Sequence, residues 1–257
     1  MTEQSWSGPA VRHGGVLWDA IRELLGSAEA AASGDVLRVL DLGGGTGGLA
    51  VPIAELGHEV TVVDPSPDAL AALDRRASEA GVETALRGVQ GDAADLLEHV
   101  DPGTFHVVLC HGVLEVVDEP AEALAAVEAT MRPDGILSVV VAGRYAAVLA
   151  KAMAGHLSEA RSLLEPSVTL PTAQRPRRYA VDEIVGLLVT HGLEPERVHA
   201  VRTFADLIPS ATFDIEPDAA GALQELERAV TDVDAFAAVA AQLHVVARRR
   251  ERVSGSG

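Results

Sequence analysis

The sequence predicts an α/β fold, a doubly wound and mostly parallel sheet of seven strands within a single domain over residues 1–257. Three observations support this fold class. Short apolar runs alternate with segments of helical periodicity, which is typical of βαβ units. A glycine-rich turn joins the first apolar run to a helix, as at a ligand-binding strand end. A long helical stretch precedes the final apolar run, an order that favours an antiparallel last strand.

The predicted elements follow this alternation along the chain. The strands are predicted at Leu37–Asp41, Glu59–Val63, Thr84–Val89, Phe105–Cys110, Gly135–Val141, Pro195–Phe204 and Gln242–Arg248. The helices are predicted at Val16–Leu25, Leu49–Leu56, Pro67–Glu79, Glu119–Met131, Tyr145–Leu164, Val181–His191 and Ala219–Val233. The rhythm breaks after strand five, so a helical cap insertion over the substrate is predicted at about 143–180. A cap helix at about 10–26 is predicted to lie over the cleft.

Composition restricts the function classes. The net charge of −18 disfavours a broad surface that follows nucleic-acid phosphates, because such surfaces are built from lysine and arginine. A single cysteine, Cys110, excludes a disulfide within the chain and a cysteine metal cluster, and we expect no metal. No apolar run reaches the length of a membrane span, and residues 1–9 lack the features of a secretory signal. A cytoplasmic protein without a membrane partner is therefore expected.

The glycine turn is the principal motif. It reads Asp41-x-Gly43-x-Gly45-x-Gly47, and a turn of this kind serves NAD, FAD, a nucleotide or S-adenosylmethionine. Glycines adopt positive φ and let a ligand approach the backbone. Asp41 distinguishes the alternatives, because a carboxylate beside the turn would repel a pyrophosphate. S-adenosylmethionine carries a cationic amino group and a sulfonium, and is compatible with an acid here. An NAD enzyme is therefore disfavoured.

Polar residues also follow the later strands. Asp64 ends the second predicted strand, where an acid can accept hydrogen bonds from both ribose hydroxyls of an adenosine. His111 follows the fourth strand, so it is expected to face the cleft. It would pack on the cofactor, or act as a general base if the acceptor is a hydroxyl. Cys110 is interpreted as a small buried residue rather than a nucleophile.

The turn resembles motif I of the class I S-adenosylmethionine-dependent methyltransferases. Over nearly the whole chain, the sequence is similar to the tRNA 5-carboxymethoxyuridine methyltransferase group within that class, also described as SmtA-type. The segments that carry this resemblance are Val11–Arg12 with Leu17–Trp18, Arg38–Gly47, Cys110–Glu115, Ala200–Phe204, Leu223–Glu227 and His244–Arg248.

This resemblance implies S-adenosyl-L-methionine as the cofactor and a Rossmann-like methyltransferase fold. The cofactor residues that it implies are Arg12, Gly43, Gly44, Asp64, Asp92, Ala93 and His111. Asp41 and Gly45, which belong to the same turn, are added to this predicted cofactor site. The group has a lysine-rich stretch in its cap, whereas Ser167–Arg178 contains three arginines and no lysine. The methyl acceptor is therefore left open between a small molecule and a modified tRNA wobble uridine carboxylate.

Other polar residues near the cap or the strand ends are candidates for the acceptor side of the site. The predicted catalytic residues are His111, Arg144, Tyr145 and Arg202, with Arg178 and Tyr179 nearby. An arginine would orient a carboxylate acceptor, which needs no general base. The alternative function is a cofactor-binding sensor or assembly protein without transferase activity. The oligomeric state is left open.

Overall fold

The structure, a computed structural model, describes residues 15–165, 176–208 and 218–250. Its sheet is formed by β1 (Arg38–Leu42), β2 (Glu59–Asp64), β3 (Leu86–Gln90), β4 (Phe105–His111), β5 (Met131–Ala142), β6 (Leu193–Val201) and β7 (Gln242–Arg249). The strand order is β3-β2-β1-β4-β5-β7-β6. β7 runs antiparallel to both neighbours, and the other pairs are parallel. The predicted fold class and the antiparallel last strand are confirmed.

Helices cover both faces of this sheet. They are α1 (Val16–Ala31), α2 (Ala50–Glu55), α3 (Pro67–Ala80), α4 (Leu96–His99), α5 (Pro120–Thr130), α6 (Arg144–Met153), α7 (Leu157–Ser162), α8 (Val181–Thr190), α9 (Ala219–Val230) and α10 (Asp234–Ala237). α3 has the predicted start, because the Ser66 side chain accepts a hydrogen bond from the Ala69 N–H at 3.2 Å and Pro67 is the first helical residue. None of the helices in the described ranges is long and apolar enough to cross a membrane.

Alternate residues of the strands contribute their side chains to two apolar cores, one on each face of the sheet. Leu40 and Val108 point to a core that includes Leu124 of α5 and Leu188 of α8. Val39 and its neighbours on the opposite face meet α1, α2 and α3. Complete burial of one such side chain stabilises the fold by about 1.5–3 kcal/mol. The two cores therefore fix which face each strand residue occupies, including the polar ones at the strand ends.

Some element boundaries differ from the prediction, and the backbone explains why. β5 begins at Met131, because Met131 pairs with Phe105 and the following residues form an irregularity within the strand rather than a turn before it. In that irregularity Asp134 has a φ of 59°. The predicted helix Tyr145–Leu164 is divided into two, with Gly155 at a φ of 80° between α6 and α7.

A buried carboxylate ends β6 at Val201, earlier than predicted. Glu227 of α9 accepts hydrogen bonds from the backbone N–H groups of Thr203, Phe204 and Ala205 at 2.9–3.0 Å. These amides are therefore not available to continue the strand. Two of the segments that carried the family resemblance, Ala200–Phe204 and Leu223–Glu227, are joined by these bonds.

The two predicted cap regions are described only in part. α1 packs on the sheet through Ile21 and Leu25 and contacts β4, β5 and α9, so this part is a layer of the fold. The predicted cap helix covers about residues 10–26, and its first part, residues 10–14, lies outside the described residues. The insertion at 143–180 contains α6 and α7, and its residues 166–175 also lie outside them. A cap function for either region stays a prediction.

Candidate active site

The glycine turn follows β1 at the point where the sheet reverses its winding, between β1 and β4. Ligands of open α/β sheets bind outside the strand ends at such a point. Gly43, Gly45 and Gly47 have φ angles of 73°, 55° and 78°. This left-handed conformation is readily available only to glycine. The Gly43 N–H donates to the Val63 carbonyl at 2.8 Å, which holds the turn against the end of β2.

Asp64 organises the other side of the turn. Its Oδ2 accepts a hydrogen bond from the Gly45 N–H at 2.9 Å, and its Oδ1 accepts one from the Ser66 N–H at 2.9 Å. The residue is 8% exposed. Each carboxylate oxygen has two lone pairs, so both oxygens can accept one more hydrogen bond. The pair of acceptors required by two ribose hydroxyls is therefore available, and ribose binding by Asp64 stays a prediction.

Asp41 lies directly beneath the turn. A Cβ placed on Gly44 would lie 2.4 Å from Asp41 Oδ2, so only glycine fits above this carboxyl group. Asp41 is 3% exposed. Burial, with a further contribution from the negative charge of Asp64, raises its pKa to about 7. A cationic ligand near Asp41 would stabilise the carboxylate form.

The raised pKa of Asp41 predicts a pH dependence of stability. The pKa is 3.8 for an ordinary Asp and about 7 here, so the folded state binds more protons between these values. The Asp41 contribution is therefore favourable below about pH 4 and is lost as the pH rises towards 7. We expect Asp41→Asn to become more stable relative to the wild type between pH 5 and pH 8, by on the order of 2 kcal/mol.

Urea unfolding of the wild type and of Asp41→Asn at pH 5 and pH 8 measures this difference. Asp35→Asn, at an exposed position before β1, is the matched control and should show no such trend. Free energies of unfolding that keep a constant gap between wild type and Asp41→Asn across this range would contradict the assignment.

The turn and its two acids fit an adenosyl cofactor. The nearest protein atom to a Cβ built on Gly45 is Asp64 Oδ2 at 3.8 Å, so the turn is open on this side. The carboxyl group of Asp64 suits ribose hydroxyls, which a dinucleotide also offers. The acid at Asp41, beside the turn, suits a cationic group and would oppose a pyrophosphate. The side chains present therefore match S-adenosylmethionine better than a dinucleotide.

Asp92 and Ala93 lie in the loop after β3, as predicted. The Asp92 N–H donates to Asp95 Oδ1 at 2.7 Å, and Asp92 Oδ1 accepts from the Ala94 N–H at 2.7 Å. Asp92 is exposed, whereas Ala93 is buried, with 5% of its surface exposed. The loop is thus held by its own side chains. Contacts of Asp92 and Ala93 with an adenine ring stay a prediction.

His111 ends β4, beside the end of β1. Its Nε2 lies 2.8 Å from Ser138 Oγ, and its Nδ1 is buried without a hydrogen-bond partner among the described residues. Burial lowers the pKa of the imidazole to about 3. The ring is therefore neutral at physiological pH, and one nitrogen is left to bind a ligand atom.

Glu115 is a buried acid near the end of β5 that sequence reasoning did not single out. Its Oε1 accepts from the Ala142 N–H at 2.8 Å, whereas its Oε2 is buried without a partner in the part of the chain that the structure describes. Burial raises its pKa to about 7, against the opposing effects of hydrogen bonds from backbone N–H groups and of the Arg178 charge. Its position after His111 was visible in the sequence, but an acid in a helix-like stretch carried no distinct signal.

The arginines predicted for the acceptor side have partners within the fold. Arg144 is 7% exposed, and its guanidinium donates to Glu183 Oε1 at 2.6 Å and to the Arg178 carbonyl at 3.1 Å. Arg202 pairs with Asp206. It follows β6, three strands from β4, or roughly 14 Å at the usual strand spacing. The structure therefore does not bring Arg202 and His111 together.

Two predicted residues remain. Tyr145 is 39% exposed at the start of α6, directly after the end of β5. It is accessible to an acceptor molecule, and its catalytic role stays a prediction. Arg12 lies outside the described residues.

Cys110 is fully buried, and burial raises the pKa of its thiol. This supports its interpretation as a core residue.

Comparisons with known proteins find methyltransferases. Residues 40–137 match the family model described as "Methyltransferase domain". The tRNA 5-carboxymethoxyuridine methyltransferase of Escherichia coli strain K12 is 30% identical over 141 residues, which are 55% of this chain and 52% of that protein. A ubiquinone biosynthesis O-methyltransferase of Burkholderia ambifaria strain MC40-6 is 37% identical over 98 residues, covering 38% of this chain and 41% of that protein. The chain thus spans about half or less of these relatives.

Solved structures share the fold. The structure of an S-adenosylmethionine-dependent methyltransferase from Mesorhizobium loti superposes with a TM-score of 0.57 at 19% identity, covering 90% of this chain and 97% of that chain. A Burkholderia thailandensis N1-methyltransferase with bound 1,6-didemethyltoxoflavin and S-adenosylhomocysteine gives a TM-score of 0.54 at 21% identity, covering 92% and 82%. The 4+2 cyclase SpnF gives 0.58 at 18% identity, covering 95% and 86%.

The sheet order and the turn at its switch point define a Rossmann-like methyltransferase fold. The domain match over residues 40–137, the methyltransferases among the relatives and the shared fold support a class I S-adenosylmethionine-dependent methyltransferase. S-adenosyl-L-methionine is the cofactor of this class.

Proposed function

We propose that this protein transfers the methyl group of S-adenosylmethionine to a nucleophile on a small molecule. The observation that carries the proposal is the arrangement of the glycine turn and Asp64. The turn leaves space beside Gly45, and the Asp64 carboxylate accepts two backbone hydrogen bonds while keeping lone pairs for a ligand. In this proposal Asp64 holds the ribose and Asp41 stabilises the cationic end of the cofactor. The Gly43–Gly45 backbone lies against the cofactor.

The remaining residues would arrange the acceptor. The bound cofactor supplies an activated methyl group on a sulfonium, so the protein has mainly to position the acceptor and exclude water. The bare Nδ1 of His111 accepts a proton from a hydroxyl acceptor, a contribution that typically amounts to about 10²–10⁴-fold in rate. Tyr145 offers an accessible hydroxyl at the end of β5.

A small acceptor agrees better with the charges than tRNA does. The guanidinium of Arg177 donates to the carbonyls of Val117 and Asp118, and Arg178 is partly buried opposite Glu115. These two arginines of the Ser167–Arg178 stretch are thus engaged within the fold. The insertion instead presents exposed apolar side chains on α6 and α7, with Leu149 at 41%, Met153 at 71% and Leu157 at 69% exposure. Such side chains suit an acceptor with an apolar part.

Binding and transfer test the proposal separately. Calorimetry is expected to give a micromolar or tighter Kd for S-adenosylhomocysteine. Incubation with cofactor labelled in the methyl group is then expected to label a small-molecule extract and leave bulk tRNA unlabelled. Absence of both heat and thermal shift with S-adenosylhomocysteine would overturn the proposed function.

The second candidate is methylation of a modified tRNA uridine, favoured by the 30% identity with the E. coli enzyme. Label in tRNA, lost when the tRNA lacks its wobble carboxylate, would establish it. A protein that binds the cofactor without transferring a methyl group is the third outcome. The fold alone does not decide this point, because the cyclase SpnF has it as well. Tight S-adenosylhomocysteine binding with no labelled product in either pool would favour this outcome.

A further inference from the structure

A continuous chain of polar side chains crosses the interior of the sheet from His111. Ser138 Oγ lies 2.8 Å from His111 Nε2 and 2.8 Å from His244 Nε2. His244 Nδ1 lies 2.9 Å from His199 Nδ1, and His199 Nε2 lies 3.4 Å from Asp232 Oδ1. These contacts connect the candidate active site with an exposed carboxylate beside β6, the edge strand of the sheet.

The strand register creates this chain. His111, Ser138, His244 and His199 belong to β4, β5, β7 and β6, which are adjacent in that order. Ser138 pairs with Val246 and His199 pairs with His244, so these side chains lie on one face of the sheet. Ser138 and His244 are 0% exposed and His199 is 5% exposed, whereas the side chain of Asp232 is 82% exposed. The path therefore runs through the buried interior and ends at the protein surface.

Simple donor and acceptor rules give the chain a direction. A carboxylate only accepts hydrogen bonds, so we place the proton of His199 on Nε2, the nitrogen that lies 3.4 Å from Asp232 Oδ1. A neutral imidazole has one N–H, so His199 Nδ1 accepts from His244 Nδ1–H. His244 Nε2 then accepts from the Ser138 hydroxyl, whose oxygen is left to accept from His111 Nε2–H. The chain therefore leaves the lone pair of His111 on Nδ1, the nitrogen without a partner among the described residues.

We propose that Ser138, His244, His199 and Asp232 are positioning residues that hold His111 in its Nε2–H tautomer and conduct its proton to Asp232. The proposal rests on the proposed function, in which His111 Nδ1 takes a proton from the acceptor. When His111 Nδ1 takes up that proton, His111 Nε2 transfers its proton to Ser138 Oγ. Ser138, His244 and His199 then each transfer one proton to the next residue, and the last proton reaches Asp232. Asp232 ends protonated and all three rings stay neutral, with His111 now protonated on Nδ1. After the product leaves, His111 Nδ1 loses its proton to solvent, Asp232 returns one proton along the chain, and the starting tautomers are restored.

Keeping the rings neutral is what the surroundings require. Burial disfavours the imidazolium form of His111, His199 and His244, which lowers the pKa of each. The rings of His111 and His199 further oppose a charge on His244. Around His199, Asp232 and Glu23 favour a positive charge, and Arg197 opposes it. A base that had to store the proton as a buried imidazolium would be weak, whereas a relay exports it.

Tautomers can be read without any activity. Two-bond ¹H–¹⁵N correlations of the labelled protein without substrate are expected to show His111 and His199 protonated on Nε2 and His244 protonated on Nδ1. In Ser138→Ala, His111 should lose this single tautomer. A wild-type spectrum with His111 protonated on Nδ1, or with His199 and His244 in the same tautomer, would overturn the proposal.

Exposed variants then test the conduction step, because Asp232 can be changed without disturbing the core. Asp232→Asn is expected to lower kcat about tenfold with little change in KM. Asp232→Glu should restore kcat, since it keeps the carboxylate. Asp234→Asn, an exposed acid two residues away, is the matched control and should behave as the wild type.

Failure of this inference can be told apart from failure of the proposed function. Wild-type kinetics retained in Asp232→Asn, together with normal binding of S-adenosylhomocysteine, would refute the relay and leave methyl transfer intact. Loss of S-adenosylhomocysteine binding in the wild type would refute the proposed function, whatever the tautomers are.

Discussion

Replacing Gly45 by alanine is expected to weaken S-adenosylhomocysteine binding about 10- to 100-fold, the effect of 1–3 kcal/mol of overpacking. The added methyl group would meet no protein atom closer than 3.8 Å, so it would occupy the open side of the turn. The φ of 55° adds a strain of about 1 kcal/mol to the folded state. Calorimetry and urea unfolding measure the two effects separately.

Gly81→Ala provides the matched control for this strain. Gly81 ends α3 at a φ of 71°, and a Cβ added there would have no atom within 4 Å. It should lose about 1 kcal/mol of unfolding free energy as Gly45→Ala does, while its S-adenosylhomocysteine affinity stays at the wild-type value. Equal affinities in the two variants would show that the ligand does not lie against Gly45.

Replacing Asp64 by alanine is expected to have the largest effect on cofactor affinity, a loss of about 100-fold or more. The carboxylate accepts the N–H groups of Gly45 and Ser66 and, in the proposed function, two ribose hydroxyls. Hydrogen bonds to charged groups contribute about 1.5–3 kcal/mol each, so losing two ligand bonds suffices for this factor. The unfolding free energy should also fall by about 1–3 kcal/mol, because two turn amides lose their acceptor.

Asp68→Ala controls for the general loss of an acid near this turn. Asp68 lies in the first turn of α3, and its side chain is exposed. Its affinity for S-adenosylhomocysteine should match the wild type in titration calorimetry. An Asp64→Ala protein that is folded and still binds S-adenosylhomocysteine at the wild-type Kd would remove Asp64 from the cofactor site.

The predictable parts of the fold are those that depend on local sequence patterns. Apolar runs located all seven strands of the described sheet, and the helix predicted at Pro67–Glu79 is α3 to within one residue. The irregularity in β5 was not predictable, because an Arg-Pro-Asp-Gly sequence is equally typical of a turn between elements. The end of β6 was set by Glu227, a residue distant in sequence that captures three amides.

The same division holds for the candidate site. The glycine turn, Asp41 and Asp64 are local motifs, and the structure brings them together. Ser138 and His244 carried no local signal, since each looks like an isolated polar residue in a strand. Their contact depends on β7 inserting beside β5, which pairs positions far apart in the chain. Arg144 was predicted for the acceptor, but only the folded arrangement shows its ion pair with Glu183.

The insertion of β7 between β5 and β6 has a consequence for biogenesis. β6 has β7 as its sole partner strand in the described sheet, yet β6 emerges from the ribosome first, ahead of α9 and α10. Until β7 arrives, β6 presents unpaired backbone groups, which are templates for association with other chains. His199 and Ser138 likewise wait for His244. Closure of the sheet is therefore a late and vulnerable event in the maturation of this protein.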